Sequence, residues 1–299
     1  MYMQLEDEFG DVVGKARRGQ EKSVQEVATA AGLSSEDVER IERYELTPGP
    51  AQVQRLAHFL GLDEKKLLAF AQEGFFPLYP AGRPVEGLTV EMMILGTDFL
   101  MNGYVVGCVE TRKGVVIDPG FEAEKVLKAV ETAEVEIESI LLTHGHGDHT
   151  GALSEVCQAT DAPALVNRAD LNLMGTLSTK IEGGIEAGDT IRVGNQQLRA
   201  RATPGHTGGG MSLVGDQLVF VGDALFAGSM GGTRNQSDFL RQCDAVRAEI
   251  LGLDERVILY PGHGPATTVG EEIANNPFFD VLSNHQYLRM MLESLGEGN

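Results

Sequence analysis

The sequence predicts an α+β protein in which a small all-α region precedes a larger domain of two facing β-sheets with helices outside them. Apolar residues recur at helical spacing from residue 12 to residue 70. From Leu88 onward, short apolar runs typical of strands interleave with amphipathic helices, without regular βαβ alternation. Residues 75–87 lie between these regions and are rich in proline and glycine, which predicts a linker. We therefore divide the chain into a helical domain (1–74), a linker (75–87) and a larger domain (88–299).

Length and composition are those of an ordinary globular protein. The chain has 299 residues, of which 42% are hydrophobic and 23% charged, enough for two domains with buried cores. No apolar run approaches the roughly 18 residues of a membrane-spanning helix, and the acidic N-terminus is unlike a secretion signal. We therefore expect a cytoplasmic protein without a membrane contact. The cysteines, Cys108, Cys157 and Cys243, are widely spaced and are expected to be buried apolar residues rather than disulfides, nucleophiles or ligands.

The formal net charge of −20 restricts the partners of this protein. Such a surface repels nucleic acid and anionic membranes. It also disfavours an anionic substrate unless bound cations reverse the field locally, as two divalent metal ions would. We therefore expect a small-molecule substrate.

The helical domain contains five short amphipathic stretches. A turn at residues 32–35 separates the second from the third, and a serine in it can cap the helix that follows. Two helices joined by a short glycine-containing turn predict a helix-turn-helix. A resemblance to the phage-repressor-type helix-turn-helix family is carried by three runs, Ser23-Val24-Gln25-Glu26-Val27-Ala28, Ile41-Glu42-Arg43 and Leu60-Gly61-Leu62. It implies that the helix after the turn would enter the major groove of DNA.

The residues at the start of that helix argue against strong DNA binding. The positions that would face the bases hold acidic and hydroxyl residues, with one basic neighbour: Ser34, Ser35, Glu36, Asp37, Glu39 and Arg40. Residues 1–75 contain 9 Lys and Arg against 14 Asp and Glu, a net charge of −5, whereas DNA affinity depends mainly on cationic contacts to phosphate. We therefore favour dimerisation or partner contact for this domain, with sequence-specific DNA binding as the alternative.

Two stretches of the larger domain have less specific patterns. Residues 173–188 are rich in glycine and threonine, which indicates either a mobile loop near the cleft or an ordinary surface loop. Residues 278–295 predict an amphipathic helix that packs on the core or on a second subunit. A homodimer is therefore among the expected assemblies.

The strongest chemical signal follows the apolar run 140–142, which predicts a buried strand. Three imidazoles and a carboxylate fall within six residues of the loop that ends this strand: His144, His146, Asp148 and His149. Adjacent residues on a helix point about 100° apart, so no single helical face can present this set. On an irregular loop the side chains can split into two pairs, which suits two metal ions better than one.

Three further candidate ligands follow along the chain, each beside a glycine: His206, Asp223 and His263. Asp223 and His263 closely follow strand-like runs, so they also lie where strands end. Five of the seven histidines therefore belong to one ordered set. Imidazole and carboxylate together suit zinc, iron or manganese, and the absence of cysteine disfavours a purely structural zinc. We predict two divalent metal ions, with zinc as the first choice and iron or manganese as alternatives.

The order His-x-His-x-Asp-His, followed by His, Asp and His, resembles the metallo-β-lactamase superfamily. That resemblance implies a four-layer αββα sandwich with the metals at one edge and a binuclear hydrolase as the activity. It also implies the metal ligands: His144, His146 and His206 for one metal, Asp148, His149 and His263 for the other, and Asp223 as the bridge. From its place in the motif, Asp148 is the candidate catalytic residue that passes a proton to the leaving group, with a coordinated water as the alternative.

Four runs look like the glyoxalase II-like branch of that superfamily, whose members hydrolyse thioesters such as S-lactoylglutathione. They are residues 143–151, Asp223-Ala224-Leu225-Phe226-Ala227-Gly228, Pro261-Gly262-His263-Gly264-Pro265, and 267–272 leading to Asn276-Pro277-Phe278. The chain departs from the long members, which append a helical domain with cationic residues for glutathione. Only 36 residues follow His263 here, and Arg289 is their one basic residue. The resemblance therefore implies a thioester hydrolase without implying glutathione as the thiol.

Three other functions are compatible with parts of the pattern. A persulfide dioxygenase uses one iron held by two histidines and an aspartate, whereas the full set of seven ligands favours two metals. The helical domain raises the alternative of a DNA-binding regulator with a sensor hydrolase fold. A phosphodiesterase or nuclease would need a basic groove, which the net charge of −15 after residue 75 does not predict.

Overall fold

The computed structural model describes residues 4–72 and 74–279. Its N-terminal part consists of five helices: α1 (Phe9–Gly19), α2 (Val24–Ala31), α3 (Ser35–Glu42), α4 (Pro50–Leu60) and α5 (Glu64–Gln72). The side chains of Ser23 and Ser34 accept backbone N–H groups at the starts of α2 and α3, as capping serines do. Gly32 ends α2 in the left-handed conformation, at φ 67°, and turns the chain into α3. The predicted all-α character is confirmed, and the helix-turn-helix assignment stays a prediction.

The first sheet has six strands in sequence order: β1 (Leu88–Leu95), β2 (Met101–Cys108), β3 (Lys113–Ile117), β4 (Glu136–Leu141), β5 (Ala164–Val166) and β6 (Ile181–Gly184). The first three strands are antiparallel, and β3 to β6 are parallel. Three helices connect the parallel strands: α6 (Ala123–Ala133), α7 (Gly147–Thr150) and α8 (Leu153–Thr160). Because parallel strands end at one edge of a sheet, the residues that follow β3 and β4 are neighbours there.

The second sheet has the order β12-β11-β10-β9-β8-β7. Its strands are β7 (Thr190–Val193), β8 (Gln196–Ala202), β9 (Met211–Val214), β10 (Leu218–Gly222), β11 (Ile258–Pro261) and β12 (Thr267–Thr268), and its helices are α9 (Gln236–Glu249) and α10 (Val269–Asn275). β10 and β11 are parallel, which places Asp223 and His263 at the same edge. His206 lies in the loop between β8 and β9.

The apolar core is divided among three clusters that define the layers. One fills the space between the sheets, with Tyr104 and Ile117 from the first and Phe220 and Tyr260 from the second. A second cluster packs α6 and α8 on the outer face of the first sheet. Helices therefore lie outside both sheets, and the predicted two-sheet α+β architecture is confirmed.

The third cluster joins the helical region to the second sheet. It contains Val12 and Leu56 of the N-terminal helices together with Val219 of β10 and Phe239 of α9. The backbone N–H of Asp63 also donates to the carbonyl of Pro277 at 2.8 Å. The five helices are thus packed against the larger domain and share its core.

Two stretches with weak sequence patterns have different outcomes. Residues 173–188, expected to be a loop, contain strand β6, which pairs in parallel with β5, so the loop prediction is wrong for 181–184. The helix expected over 278–295 lies outside the described residues beyond 279. Within the described part of the chain, no helix is long and apolar enough to span a bilayer.

Candidate metal centre

Four candidate ligands lie in the short segment that runs from the end of β4 through α7. His146 is the residue before α7, and Asp148 and His149 lie within that short helix. Gly145 permits the tight turn before it, because a Cβ there would lie 2.6 Å from the backbone oxygen of Asp170. The loop therefore points its side chains in two directions from one short segment.

The first trio consists of His144, His146 and His206. The Nε2 atom of His144 lies 3.0 Å from Nδ1 of His146, and Nε2 of His206 lies 2.9 Å from the same atom. Two loops from different sheets therefore bring three ring nitrogens together, close enough to hold one metal ion.

The second trio consists of Asp148, His149 and His263. Oδ2 of Asp148 lies 3.3 Å from Nε2 of His263 and 3.6 Å from Nε2 of His149. These three atoms form a second group that could hold an ion.

Asp223 lies between the two trios. Its Oδ1 atom is 3.3 Å from Nε2 of His149, and its Oδ2 atom is 3.4 Å from Nε2 of His206 and 3.5 Å from Nε2 of His263. One carboxylate thus faces ligands of both trios. A carboxylate can bind two cations through its two oxygens, which no imidazole of this set can do.

Two buried polar atoms of the cluster test whether metal ions fit. Nε2 of His149 and Oδ1 of Asp223 are buried and have no hydrogen-bond partner. Leaving such atoms unsatisfied costs about 1–3 kcal/mol each, so native proteins seldom do so without a compensating ligand. A divalent cation coordinated by both would satisfy them. The seven side chains, all nitrogen and oxygen donors, therefore fit the predicted pair of ions.

Two backbone carbonyls orient imidazoles of the cluster. Nδ1 of His206 lies 2.8 Å from the carbonyl oxygen of Gly232, and Nδ1 of His263 lies 2.7 Å from that of Leu100. A carbonyl can only accept, so each Nδ1 carries the proton and each Nε2 presents its lone pair to the cluster.

A buried carboxylate, Asp118, supports His149. Nδ1 of His149 lies 2.9 Å from Oδ2 of Asp118, and Asp118 also accepts the backbone N–H of Thr143 at 2.8 Å and its hydroxyl at 2.6 Å. Asp118 belongs to no ligand motif in the sequence. Its position after β3, next to β4 in a parallel sheet, is the signal that would have identified it.

A second buried carboxylate, Asp170, connects the two loops of the first trio. Oδ2 accepts the backbone N–H of Gly145 at 3.1 Å and the hydroxyl of Thr207 at 2.7 Å, and Oδ1 accepts the backbone N–H of Gly209 at 2.7 Å. Asp170 thereby sets the spacing between the residues next to His144 and those next to His206. Sequence reasoning missed it because it stands alone in a stretch without a motif.

Burial and neighbouring charges shift the pKa values of four imidazoles, two downwards and two upwards. Burial lowers the pKa of His144 well below its usual range, and repulsion from His149 adds to this. Burial also lowers the pKa of His146, reinforced by His206. Both rings are therefore neutral at pH 7, which is the form that binds metal ions.

The second trio has the opposite balance. Burial opposes the charged form of His149, but Asp118 and Asp223 outweigh it and raise the pKa well above its usual range. Burial also opposes the charged form of His263, but Asp223 and Asp148 outweigh it and raise the pKa of that imidazole. Burial disfavours the ionised form of Asp223, yet His149 and His263 hold its pKa well below its usual range. This half of the cluster is rich in negative charge and stabilises cations.

Comparison with known proteins identifies the family. Residues 96–263 match the metallo-beta-lactamase superfamily. The probable metallo-hydrolase YqgX of Bacillus subtilis is 34% identical over 189 residues, covering 56% of this chain and 88% of that protein. The hydroxyacylglutathione hydrolase GloC of Haemophilus influenzae is 29% identical over 192 residues, covering 58% of this chain and 91% of that protein.

A solved structure agrees with these relatives. The protein TTHA1623, crystallised in a di-iron-bound form, is 31% identical, with a TM-score of 0.53 over 64% of this chain and 100% of that chain. The match over residues 96–263 spans more than half of the sequence and contains every candidate ligand. This chain therefore belongs to the metallo-beta-lactamase superfamily.

Proposed function

We propose that this protein is a binuclear metal-dependent hydrolase that cleaves thioesters, like the glyoxalase II branch. The observation that carries the proposal is Asp223, whose two oxygens face both trios at 3.3–3.5 Å. The first trio would hold one ion and the second trio the other, with the Asp223 carboxylate between them. Such a pair would supply a metal-activated water near neutral pH and polarise the thioester carbonyl.

The side chains of the chain position the reactants and move the proton. Hydrolysis forms a C–O bond from water, breaks the C–S bond and requires a proton at the sulfur that leaves. Asp148 is the more accessible carboxylate of the cluster, with 18% of its side chain exposed against 7% for Asp223. We assign Asp148 the transfer of the water proton to the sulfur.

The relatives support this proposal in two respects. The match to a hydroxyacylglutathione hydrolase supports thioester hydrolysis, and the di-iron-bound relative supports a pair of ions. Zinc is our first choice for both sites, with iron or manganese as alternatives, because the nitrogen and oxygen donors suit all three.

The metal content of the purified protein, measured with turnover on the same sample, tests the proposal. We expect about two metals per chain after loading with zinc, iron or manganese, and hydrolysis of S-lactoylglutathione or of a neutral thioester by at least one loaded form. Two metals without turnover of either thioester would contradict the substrate class. One iron per chain, with oxygen consumption on a persulfide, would replace this proposal by the persulfide dioxygenase alternative.

The role of Asp148 needs its own test, because the same residue is a ligand. We expect an Asp148→Asn variant to lose turnover even under excess metal that restores two ions per chain. Variants that keep both metals and full turnover would show that the proton takes another route. Metal content measured on the assayed sample separates the two roles.

For the helical domain we propose partner contact or dimerisation in preference to DNA binding. The first turn of α3 contains Glu36 and Asp37, and the two arginines at its C-terminal end are paired: Arg40 lies 3.6 Å from Asp37, and Arg43 lies 3.2 Å from Glu45. Few cationic groups are therefore left there for phosphate. Duplex DNA titrated at low and high salt tests this, and tight binding that weakens steeply with salt would restore the regulator alternative.

A further inference from the structure

A cleft of about 440 Å³ opens beside His263, and one of its walls belongs to the N-terminal region. Leu5 and Glu6, just before α1, form that wall together with Gln4. The opposite wall comes from the loop between β1 and β2, which contributes Asp98, Phe99 and Leu100. Two parts of the chain that lie far apart in sequence thus enclose one space.

The imidazole ring of His263 lies between the cleft and the other candidate ligands. Nε2 of His263 faces Asp148 and Asp223, whereas its Nδ1 faces the carbonyl of Leu100 at 2.7 Å and Oε2 of Glu6 at 3.9 Å. The ring of Phe99 covers the same imidazole at a centroid distance of 5.0 Å. The rings of His263 and Phe99 therefore lie between the trios and the cleft, and a substrate that passes Phe99 would reach both.

Contacts with the larger domain hold the N-terminal wall in place. The backbone N–H of Glu6 approaches Gly264 so closely that a Cβ on that glycine would lie 2.9 Å from it. Asp7 pairs with Lys15 at 2.5 Å, and Lys15 also donates to the carbonyl of Met230 at 3.0 Å. The same ammonium lies 4.7 Å from the centre of the Phe226 ring, which packs against His263. The wall is therefore anchored to residues of the metal centre.

The charge of the cleft is negative. Among the described residues of its lining, Glu6 and Asp98 are the charged ones. Two lysines that contact the segments around the cleft are paired with other carboxylates, Lys15 with Asp7 and Lys125 with Glu122 at 3.0 Å. The side chain of Glu6 is 27% exposed, so its carboxyl can contact a group bound in the cleft. Leu5 and Phe99 supply apolar surface around it.

We propose that residues 4–6 complete the substrate-binding cleft, and that Glu6 selects thioesters whose thiol half carries a cationic group. The inference rests on the proposed thioester hydrolase function and deepens it. An ammonium group on an apolar stem would contact the Glu6 carboxylate while the stem lies on Leu5 and Phe99. An anionic thiol half would meet two carboxylates and no lysine or arginine in the lining. The N-terminal region is then a specificity-determining part of the enzyme.

Three lactoyl thioesters that differ in the charge of the thiol test this proposal. The thiols are thiocholine (cationic), N-acetylcysteamine (neutral) and 2-mercaptoethanesulfonate (anionic). For the zinc-loaded wild type we expect kcat/KM for the cationic thioester to exceed that for the anionic one by about tenfold or more, as expected for a partly buried charge contact. Equal values, or a preference for the anionic thioester, would overturn the proposal.

Two matched variants assign the selectivity to Glu6. We expect Glu6→Gln to reduce the cationic-to-anionic ratio of kcat/KM by about tenfold, chiefly through KM, and Glu6→Lys to invert the preference. Glu155→Gln changes the net charge equally at an exposed site on α8 and is expected to leave the ratio unchanged. Equal ratios in the Glu6 and Glu155 variants would assign the effect to the overall charge.

Binding of unreactive analogues separates this inference from the proposed function. The S-ethyl thioethers of the three thiols can be titrated calorimetrically into the zinc-loaded protein. Failure to hydrolyse the neutral thioester contradicts the hydrolase proposal, whereas thioether binding that is independent of charge contradicts the role of Glu6. If Glu6→Gln fails to fold by circular dichroism, Asp98→Asn, on the opposite wall, provides the second measurement and is expected to reduce the same ratio.

Discussion

The two trios of the metal centre are held by different kinds of support. In the first trio, the partners behind the rings are neutral, the hydroxyl of Thr143 for His144 and the carbonyl of Gly232 for His206. Its geometry depends on Asp170, which ties the two loops together without touching a candidate ligand side chain. In the second trio the carbonyl of Leu100 supports His263, but a carboxylate, Asp118, contacts the ring of His149 directly.

Because of this difference, we expect different substitutions to weaken metal binding at the two trios. A carboxylate behind an imidazole raises its basicity as a ligand, so the second trio depends on charge. The first trio depends on the distance between two loops, because the groups behind His144 and His206 carry no charge. Substitutions far from the substrate are therefore expected to weaken one ion of the proposed pair and to spare the other.

The largest effect is expected from Asp223→Ala, which removes the one carboxylate that faces both trios. We expect the metal content to fall to one ion per chain or fewer. Turnover should fall by about a thousandfold, since the loss of a paired-metal site costs several kcal/mol in the transition state. Elemental analysis and thioester kinetics on one sample measure both. A variant that keeps two ions and wild-type turnover would show that Asp223 does not join the trios.

Asp118→Asn is expected to weaken the metal of the second trio selectively. The three hydrogen-bond partners of Asp118 are a backbone N–H, a hydroxyl and the Nδ1 of His149, and an amide cannot accept from all of them. Loss of such support behind a ligand typically costs about 10–100-fold in metal affinity. Chelator competition should therefore show one weakened ion. Cobalt(II) spectra of His263→Ala and His206→Ala provide the reference signals that identify which ion is lost.

Asp170→Asn should weaken the other metal, by about tenfold, because its effect reaches the ligands through the loop backbone. All three partners of Asp170 are donors, and the NH₂ group of asparagine must face at least one of them in either orientation. The same cobalt(II) signals are expected to show loss at the first trio. Equal loss at both sites would mean that Asp170 acts on overall stability and not on the first trio in particular.

The sequence predicts the ligands of both trios better than their supports. The seven candidate ligand side chains lie beside glycines or near strand ends, and their order along the chain can be recognised in one sequence. Asp118, Asp170 and Glu6 are single carboxylates without a spacing pattern, and their roles depend on which strands and loops become neighbours. Such contacts depend on the order of the strands in each sheet, which the spacing of residues along the chain does not give.

The fold shows the same division between local and tertiary information. Helical periodicity and capping serines predicted the N-terminal helices, and apolar runs predicted most strands. Strand β6 was missed because Ile181-Glu182-Gly183-Gly184 has no apolar run and pairs only because β5 leaves an edge with unpaired backbone groups. The sequence likewise did not predict the packing of α1 against α9, which brings Glu6 close to His263, because the proline-rich stretch indicated only a linker.

The smallest effect is expected at Thr143, where the supports of the two trios meet. Its hydroxyl donates to Oδ2 of Asp118 at 2.6 Å and lies 3.2 Å from Nδ1 of His144, so its oxygen can accept a hydrogen bond from that ring. Thr143→Val keeps the shape and removes this link, and one lost hydrogen bond of about 0.5–1.5 kcal/mol corresponds to a drop of about two- to tenfold in affinity. Because both supports share the hydroxyl, the loss should appear at both ions, in contrast to Asp118→Asn and Asp170→Asn. Thr143→Ser retains the hydroxyl and should bind both ions like the wild type. A Thr143→Val variant that weakened one ion alone would show that the two halves of the centre are supported independently.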